Sequence, residues 1–223
     1  MDVTSSLLPL LHLDDTDECA TGQLRRIFQH PHAPDLLVKI VRADAIERRW
    51  GAGAPWHKRL PRARQHGGFV RELKEYIALR ARHPAAAVPL ARMVGLVETN
   101  LGLGLVSEKV RAADGALAPT LSALYQRERG FSAAIERELA RFLDALLACD
   151  AVVGDMHAWN LVFGSDSRGG PRFVLVDGFG EKHLVPFTSM SRRINAYNTC
   201  RLYRRMREQL RQLVPLDAPA GAG

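Results

Sequence analysis

Cysteine is scarce in this chain: Cys19, Cys149 and Cys200 are odd in number and far apart among 223 residues. No CxxC pair occurs, which argues against the usual zinc frameworks and against a network of stapling disulfides. That usage fits a reducing compartment. No apolar run approaches the roughly 20 residues that a membrane-spanning helix needs. The opening stretch Met1–Leu13 lacks a basic n-region and soon meets Asp14 and Asp15, so it does not read as a secretory leader. The expectation is a cytoplasmic chain. No internal repeat is visible.

What is present is ordinary in bulk. Hydrophobic residues make up 47% and charged residues 25%, enough to bury a core without metals or crosslinks. The formal charge is +7 and the pI about 9.8. That balance favours polyanionic partners: nucleotide phosphates, nucleic acid or an anionic membrane face. Much of the excess is arginine, gathered around residues 48–71 and 192–211.

Glu18–Gln29 is expected to form a hairpin about Thr21-Gly22, and Leu36–Val41 a short apolar strand interrupted by Lys39. Residues 42–67 mix Gly, Pro, Arg, Trp50 and Trp56 without clean periodicity and read as a basic loop insertion. A helix follows over 69–82, with Phe69, Leu73, Tyr76 and Ile77 as its stripe and Pro84 beyond its end. Leu90–Glu98 and Leu103–Val110 read as two strands joined through Asn100 and Gly102. Ile135, Leu139, Phe142, Leu143, Leu146 and Leu147 mark an amphipathic helix over 132–149. Leu161–Phe163 and Phe173–Val176 read as a small hairpin. Residues 189–214 are helical and arginine-rich, and the stripe changes sides along them. Met190, Ile194 and Tyr197 lie on one side; Tyr203, Met206, Leu210 and Leu213 lie nearly opposite. A break near Asn198–Cys200, with both halves packed on the domain, is the expectation. Strands early and helices late predict an α+β chain of two lobes. Its parts are an extension over 1–16, a β-rich lobe over 17–110, a short helical lobe over 111–214 and a disordered tail over 215–223.

The segment that carries chemistry is Val152-Val-Gly-Asp155-Met-His157-Ala-Trp-Asn160-Leu-Val-Phe163. An Asp five residues before an Asn, between a helix and an apolar strand, matches the catalytic loop of phosphotransferases. In that chemistry the Asp accepts the proton of the attacking hydroxyl, and the Asn holds a magnesium ion on the phosphates. Seventeen positions after Asn160 comes Asp177-Gly-Phe-Gly180, whose carboxylate would take a second share of the metal. ATP and Mg2+ are therefore the expected ligands. Lys39 stands in an apolar strand, where a cation is costly unless paired or bound to an anion; an edge-strand lysine reaching solvent is the plainer alternative. Glu72 flanks the helix stripe and is its proposed partner, whereas Glu75 is expected to be solvated. Backbone groups around Glu108 and Val110 would hold adenine, and Gly22 is the one glycine of the stretch Cys19–Arg26 expected to cover the phosphates. His157 reads as a loop-orienting residue rather than a metal ligand, and Trp159 as packing.

Val70-Arg-Glu72-Leu-Lys-Glu-Tyr76, Gly95-Leu-Val-Glu98-Thr-Asn100-Leu-Gly102 and Asp177-Gly-Phe-Gly-Glu181 resemble the YrbL family of bacterial proteins, named for a link to the PhoP regulatory network. The resemblance runs from about residue 19 to 207. It implies a protein-kinase-like fold with a small β-rich N-lobe and a truncated, mainly helical C-lobe carrying an ATP site. The Asp155–Asn160 loop also resembles that of aminoglycoside and choline phosphotransferases, where a His likewise lies two after the Asp. The chain departs from kinases in its single Gly22, in Asp-Gly-Phe-Gly where Asp-Phe-Gly is usual, and in the lack of an Ala-Pro-Glu segment. These departures favour a small-molecule kinase or a regulatory pseudokinase over a protein kinase. The expected partners are a nucleotide and either a phosphate acceptor or a regulatory protein. Nucleic acid is not expected, and peripheral membrane contact is the less favoured use of the arginines.

Overall fold

An apolar run builds the middle of the larger sheet. The computed structural model describes residues 10–51, 53, 64–182 and 187–213. Leu36–Val41 forms β3, with five consecutive buried residues. It pairs with β2 (Arg25–Gln29) on one side and β5 (Gly102–Glu108) on the other; β1 (Glu18–Thr21) and β4 (Met93–Thr99) lie outermost, giving the order β1-β2-β3-β5-β4. Every pairing is antiparallel. The expected hairpins and strands therefore form. Phe28, Val38, Ile40 and Val106 pack with Leu11 and Leu13 in one cluster. Asn100, expected to serve the β4–β5 turn, does more than turn the chain. Its side chain accepts the Leu13 N–H at 2.8 Å and donates to the Leu13 carbonyl at 3.1 Å, tying the incoming chain to the end of β4.

The described chain divides into two compact units: Met1–Val70 with Arg92–Lys109, and Arg71–Ala91 with Val110–Gly223. Helix α1 spans Ala43–Trp50, where a loop was expected. Its one buried residue is Ala45, so hydrophobic periodicity could not reveal it. Asp44 holds its first turn instead, accepting from Arg42 at 2.9 and 2.8 Å and from Arg48 at 2.9 Å. Residues 54–63 of the expected insertion, with Trp56, Lys58, Arg59 and Arg62, lie outside the described residues, as does the expected tail.

Helix α2 (Gly67–Arg82) also corrects an expectation. Its buried positions are Phe69, Glu72, Glu75 and Leu79, while Ile77 is exposed. Two carboxylates thus sit on the inner side, and Glu75, expected in solvent, is buried because it has a structural partner described below.

In the second unit, helix α3 (Leu121–Glu128) precedes α4 (Ala133–Cys149). Ser132 caps α4 by accepting the Ile135 N–H, and Ile135, Leu139, Phe142, Leu146 and Cys149 form the buried stripe. The hairpin β6 (Leu161–Asp166) and β7 (Gly169–Leu175) follows as expected. A short α5 (Phe187–Met190) then leads into α6, a single helix over Arg192–Leu213 without the expected break. The buried side of α6 runs Asn195, Thr199, Tyr203, Met206, Leu210. Its first two members are polar, so the apolar pattern showed only the second half of one continuous face. Helix and sheet together make this an α+β protein. Among the described residues, no helix is long and apolar enough to cross a membrane.

Candidate functional site

Two stretches of the second unit cross just beyond the ends of α4 and β7. The Gly180 N–H donates to the Val152 carbonyl at 2.8 Å, and the N–H groups of Gly154 and Asp155 both donate to the Gly178 carbonyl, at 3.0 and 2.7 Å. Val153 and Phe179 face each other as an isolated antiparallel bridge. Phe179 is 2% exposed and anchors the crossing in the core. Gly178 and Gly180 have φ of 85° and 89°, a region that disfavours side chains. A Cβ on Gly178 would also strike the Asp155 carbonyl, and one on Gly180 would lie 2.5 Å from the Arg71 carbonyl oxygen. The spelling Asp-Gly-Phe-Gly is thus set by how tightly this strip is laid against its neighbours.

The remaining members arrive by the same means. The Asn160 N–H donates to the His157 carbonyl at 3.0 Å, and the Val176 N–H donates to the Asn160 carbonyl at 2.8 Å. Asn160 therefore adjoins the residue before Asp177. The Asp177 carboxylate accepts the N–H of Gly178 at 2.5 Å, which fixes its direction. Asp155, Asn160 and Asp177, predicted from spacing, are brought onto adjoining strips of one unit, and all three are half-buried.

The Asp155 carboxylate has two side-chain partners. His157 Nε2 meets Oδ1 at 2.8 Å, and Lys182 Nζ meets Oδ2 at 2.5 Å. The His157 ring stacks on Trp159, with centroids 4.7 Å apart and planes 13° from parallel. His157 Nδ1 is buried without a partner among the described residues, so its Nε2 bond to Asp155 is what orients the ring. That is the orienting role expected of it. Trp159, expected to be packing, is 51% exposed. Lys182 escaped the sequence reading: it lies 27 residues from Asp155, and no motif links the two.

Glu75 supports the loop from below. Its Oε1 accepts the Val152 N–H at 2.8 Å, three residues before Asp155. Burial pushes the Glu75 carboxyl above its ordinary range, and that hydrogen bond pulls partly the other way.

The other predicted residues fall as follows. Lys39, 3% exposed, lies on β3 in the first unit; Glu72, 2% exposed, lies on α2 in the second. Gly22 closes the β1–β2 turn, donating to the Arg25 carbonyl at 2.8 Å. The Arg25 guanidinium sits over the Phe69 ring at 4.9 Å, and Arg26 is tied to Glu18 and Asp15. The Glu108 N–H donates to the Arg92 carbonyl at 2.9 Å, and the Val110 carbonyl accepts from Ala118 at 3.0 Å. Among the described residues, no group of three or more His, Cys, Asp or Glu is arranged to hold a metal ion. Asn160 carries an amide oxygen and Asp177 a carboxylate, both hard-oxygen groups. No match was found among curated proteins. A family model described as PhoP regulatory network protein YrbL matches residues 11–211, and the chain belongs to that family.

Proposed function

We propose that the second unit carries an ATP- and magnesium-dependent phosphotransfer site of the protein-kinase-like kind. The observation that supports it most is the crossing of residues 152–155 over 178–180. It lays the backbone of Asp155 against the backbone that follows Asp177, and the Val176 N–H bond to the Asn160 carbonyl brings a third strip alongside. Magnesium is usually held by one or two carboxylates plus phosphate oxygens and water, so Asn160 and Asp177 suit it without a larger cluster. When bound, the ion neutralises charge on the phosphate oxygens.

Asp155 takes the proton of the acceptor hydroxyl as that oxygen bonds to the terminal phosphorus. The bond from phosphorus to the nucleoside diphosphate oxygen breaks, and the diphosphate carries away the electron pair. Lys182, 40% exposed and on a flexible stem, turns from Asp155 towards the transferring phosphate and frees an oxygen of the base. Of the pair expected from sequence to orient the nucleotide, Glu72 lies in this same unit and Lys39 in the other.

A second reading has its own support, because both oxygens of Asp155 already have cationic or N–H partners. In that case the chain is a pseudokinase, a regulatory module that binds nucleotide or a protein partner and transfers nothing. Release of phosphate from labelled ATP, together with autophosphorylation, separates the two. The phosphotransfer reading expects turnover that falls roughly 100- to 10,000-fold in Asp155→Asn, with losses also in Asp177→Asn and Lys182→Met. Unchanged turnover in Asp155→Asn removes it as the base. Absence of turnover in the wild type, with nucleotide still bound, selects the pseudokinase.

A further inference from the structure

We propose that the outward face of α6, continued by Met190, docks on an anionic phospholipid membrane. The two opposed stripes of residues 190–213 carry the inference. One helix holds both except for Met190, which ends α5 just before it, and its inner side is used up by the fold through Asn195, Thr199, Tyr203, Met206 and Leu210. The other stripe points to solvent: Met190 is 75% exposed, Ile194 47% and Tyr197 67%. Nothing in the phosphotransfer site uses these residues.

Charge supplies the second half of the argument. Helix α6 has seven arginines and one acid, Glu208, in a chain of net charge +7. Arg207 is committed inward, paired with Glu136 and set over Phe131, and Arg192 lies 3.8 Å from Asp150. Arg193, Arg201, Arg204 and Arg205 are exposed and meet no carboxylate among the described residues. Arg201 and Arg204 instead donate within the helix, to the Asn198 side chain and the Cys200 carbonyl. Successive residues advance about 100° around a helix, which puts Arg193, Ile194, Tyr197, Arg201 and Arg204 on one side, with Glu208 among them.

Apolar tips beside arginines that outnumber the one acid on their face, with the helix axis in the plane, are what an interfacial helix presents to anionic headgroups. The exposed charge, from Arg193 to Arg205, is spread over about 18 Å of helix axis. It therefore suits an extended anionic plane better than a compact acidic protein.

The test is sedimentation of the full chain with vesicles of phosphatidylcholine, with and without phosphatidylglycerol. Binding is expected to the anionic vesicles alone, and to weaken as salt rises. Arg201→Glu with Arg204→Glu is expected to lower partitioning on the order of tenfold or more. Ile194→Ser with Tyr197→Ala should weaken it while keeping the charge. Arg127→Glu with Arg168→Glu, exposed on α3 and on the β6–β7 turn, makes the same net change elsewhere and should act far less. Melting curves confirm that each variant is folded. No binding to anionic vesicles overturns the proposal, as does equal loss in the two charge-reversed pairs. Binding to soluble polyglutamate without vesicle partitioning also overturns it and points to an acidic protein partner.

Discussion

Glu75 joins the buried side of a helix to the loop that carries Asp155, through one hydrogen bond from the Val152 N–H. Its carboxyl is shifted upward by burial, so between its unfolded value near 4.5 and its higher folded value the native chain binds the extra proton. Stability from this group is therefore greatest at low pH and declines as pH rises through that window. Glu75→Gln keeps an acceptor for Val152 and removes the ionisation. It is expected to melt above the wild type at neutral pH, with the gap closing on acidification towards pH 4.5. Glu75→Ala leaves the Val152 N–H without its acceptor and should cost about 1–3 kcal/mol in denaturant titrations. The apolar pattern hid this role, because the stripe of Phe69, Leu73, Tyr76 and Ile77 turns Glu75 outward, whereas the buried side runs through Phe69, Glu72, Glu75 and Leu79. Lys182 was hidden for a different reason: its tie to Asp155 depends on the crossing of two strips far apart in the chain.

Elements were legible where burial is apolar and illegible where it is polar. Strands β2, β3 and β5, helix α4 and the β6–β7 hairpin follow from runs or stripes of Leu, Ile, Val and Phe. Helix α1 has one buried alanine and is held by Asp44 and its arginines, so periodicity could not find it. Helix α6 seemed to break because Asn195 and Thr199 continue inward the face that Tyr203, Met206 and Leu210 complete. These two polar residues make opposite predictions. Asn195 Nδ2 donates to Asp150 Oδ1 at 2.9 Å and to the Ala151 carbonyl at 3.1 Å, fastening the helix beside the loop. Asn195→Ala should lower stability by about 1–3 kcal/mol. The Thr199 hydroxyl is buried with no hydrogen-bond partner among the described residues. Thr199→Val keeps its shape and removes that unpaired group, so its melting temperature should stay level or rise.

At the scale of the whole molecule, strands early and helices late foretold the α+β class. That order could not foretell a division that falls inside a single helix, between Val70 and Arg71. That division shapes how nucleotide binding should be measured. Two compact units, each with its own buried core, need not unfold in one step, so a single melting temperature is not assured. A ligand that binds only native protein stabilises by about 2.7 kcal/mol at 100 times its dissociation constant. Calorimetry with ATP, with and without magnesium, should therefore show a magnesium-dependent rise in the transition that includes the second unit, where Asn160 and Asp177 lie. Asp177→Asn should lose that increment while keeping any rise due to ATP alone. Lys182→Met should keep the magnesium increment, since Lys182 is bonded to Asp155 and not to the proposed metal pair. An unchanged thermogram at large excess of ATP and magnesium would dismiss both nucleotide readings. The exposed face of α6 would then point to a membrane or a partner protein as the ligand that matters.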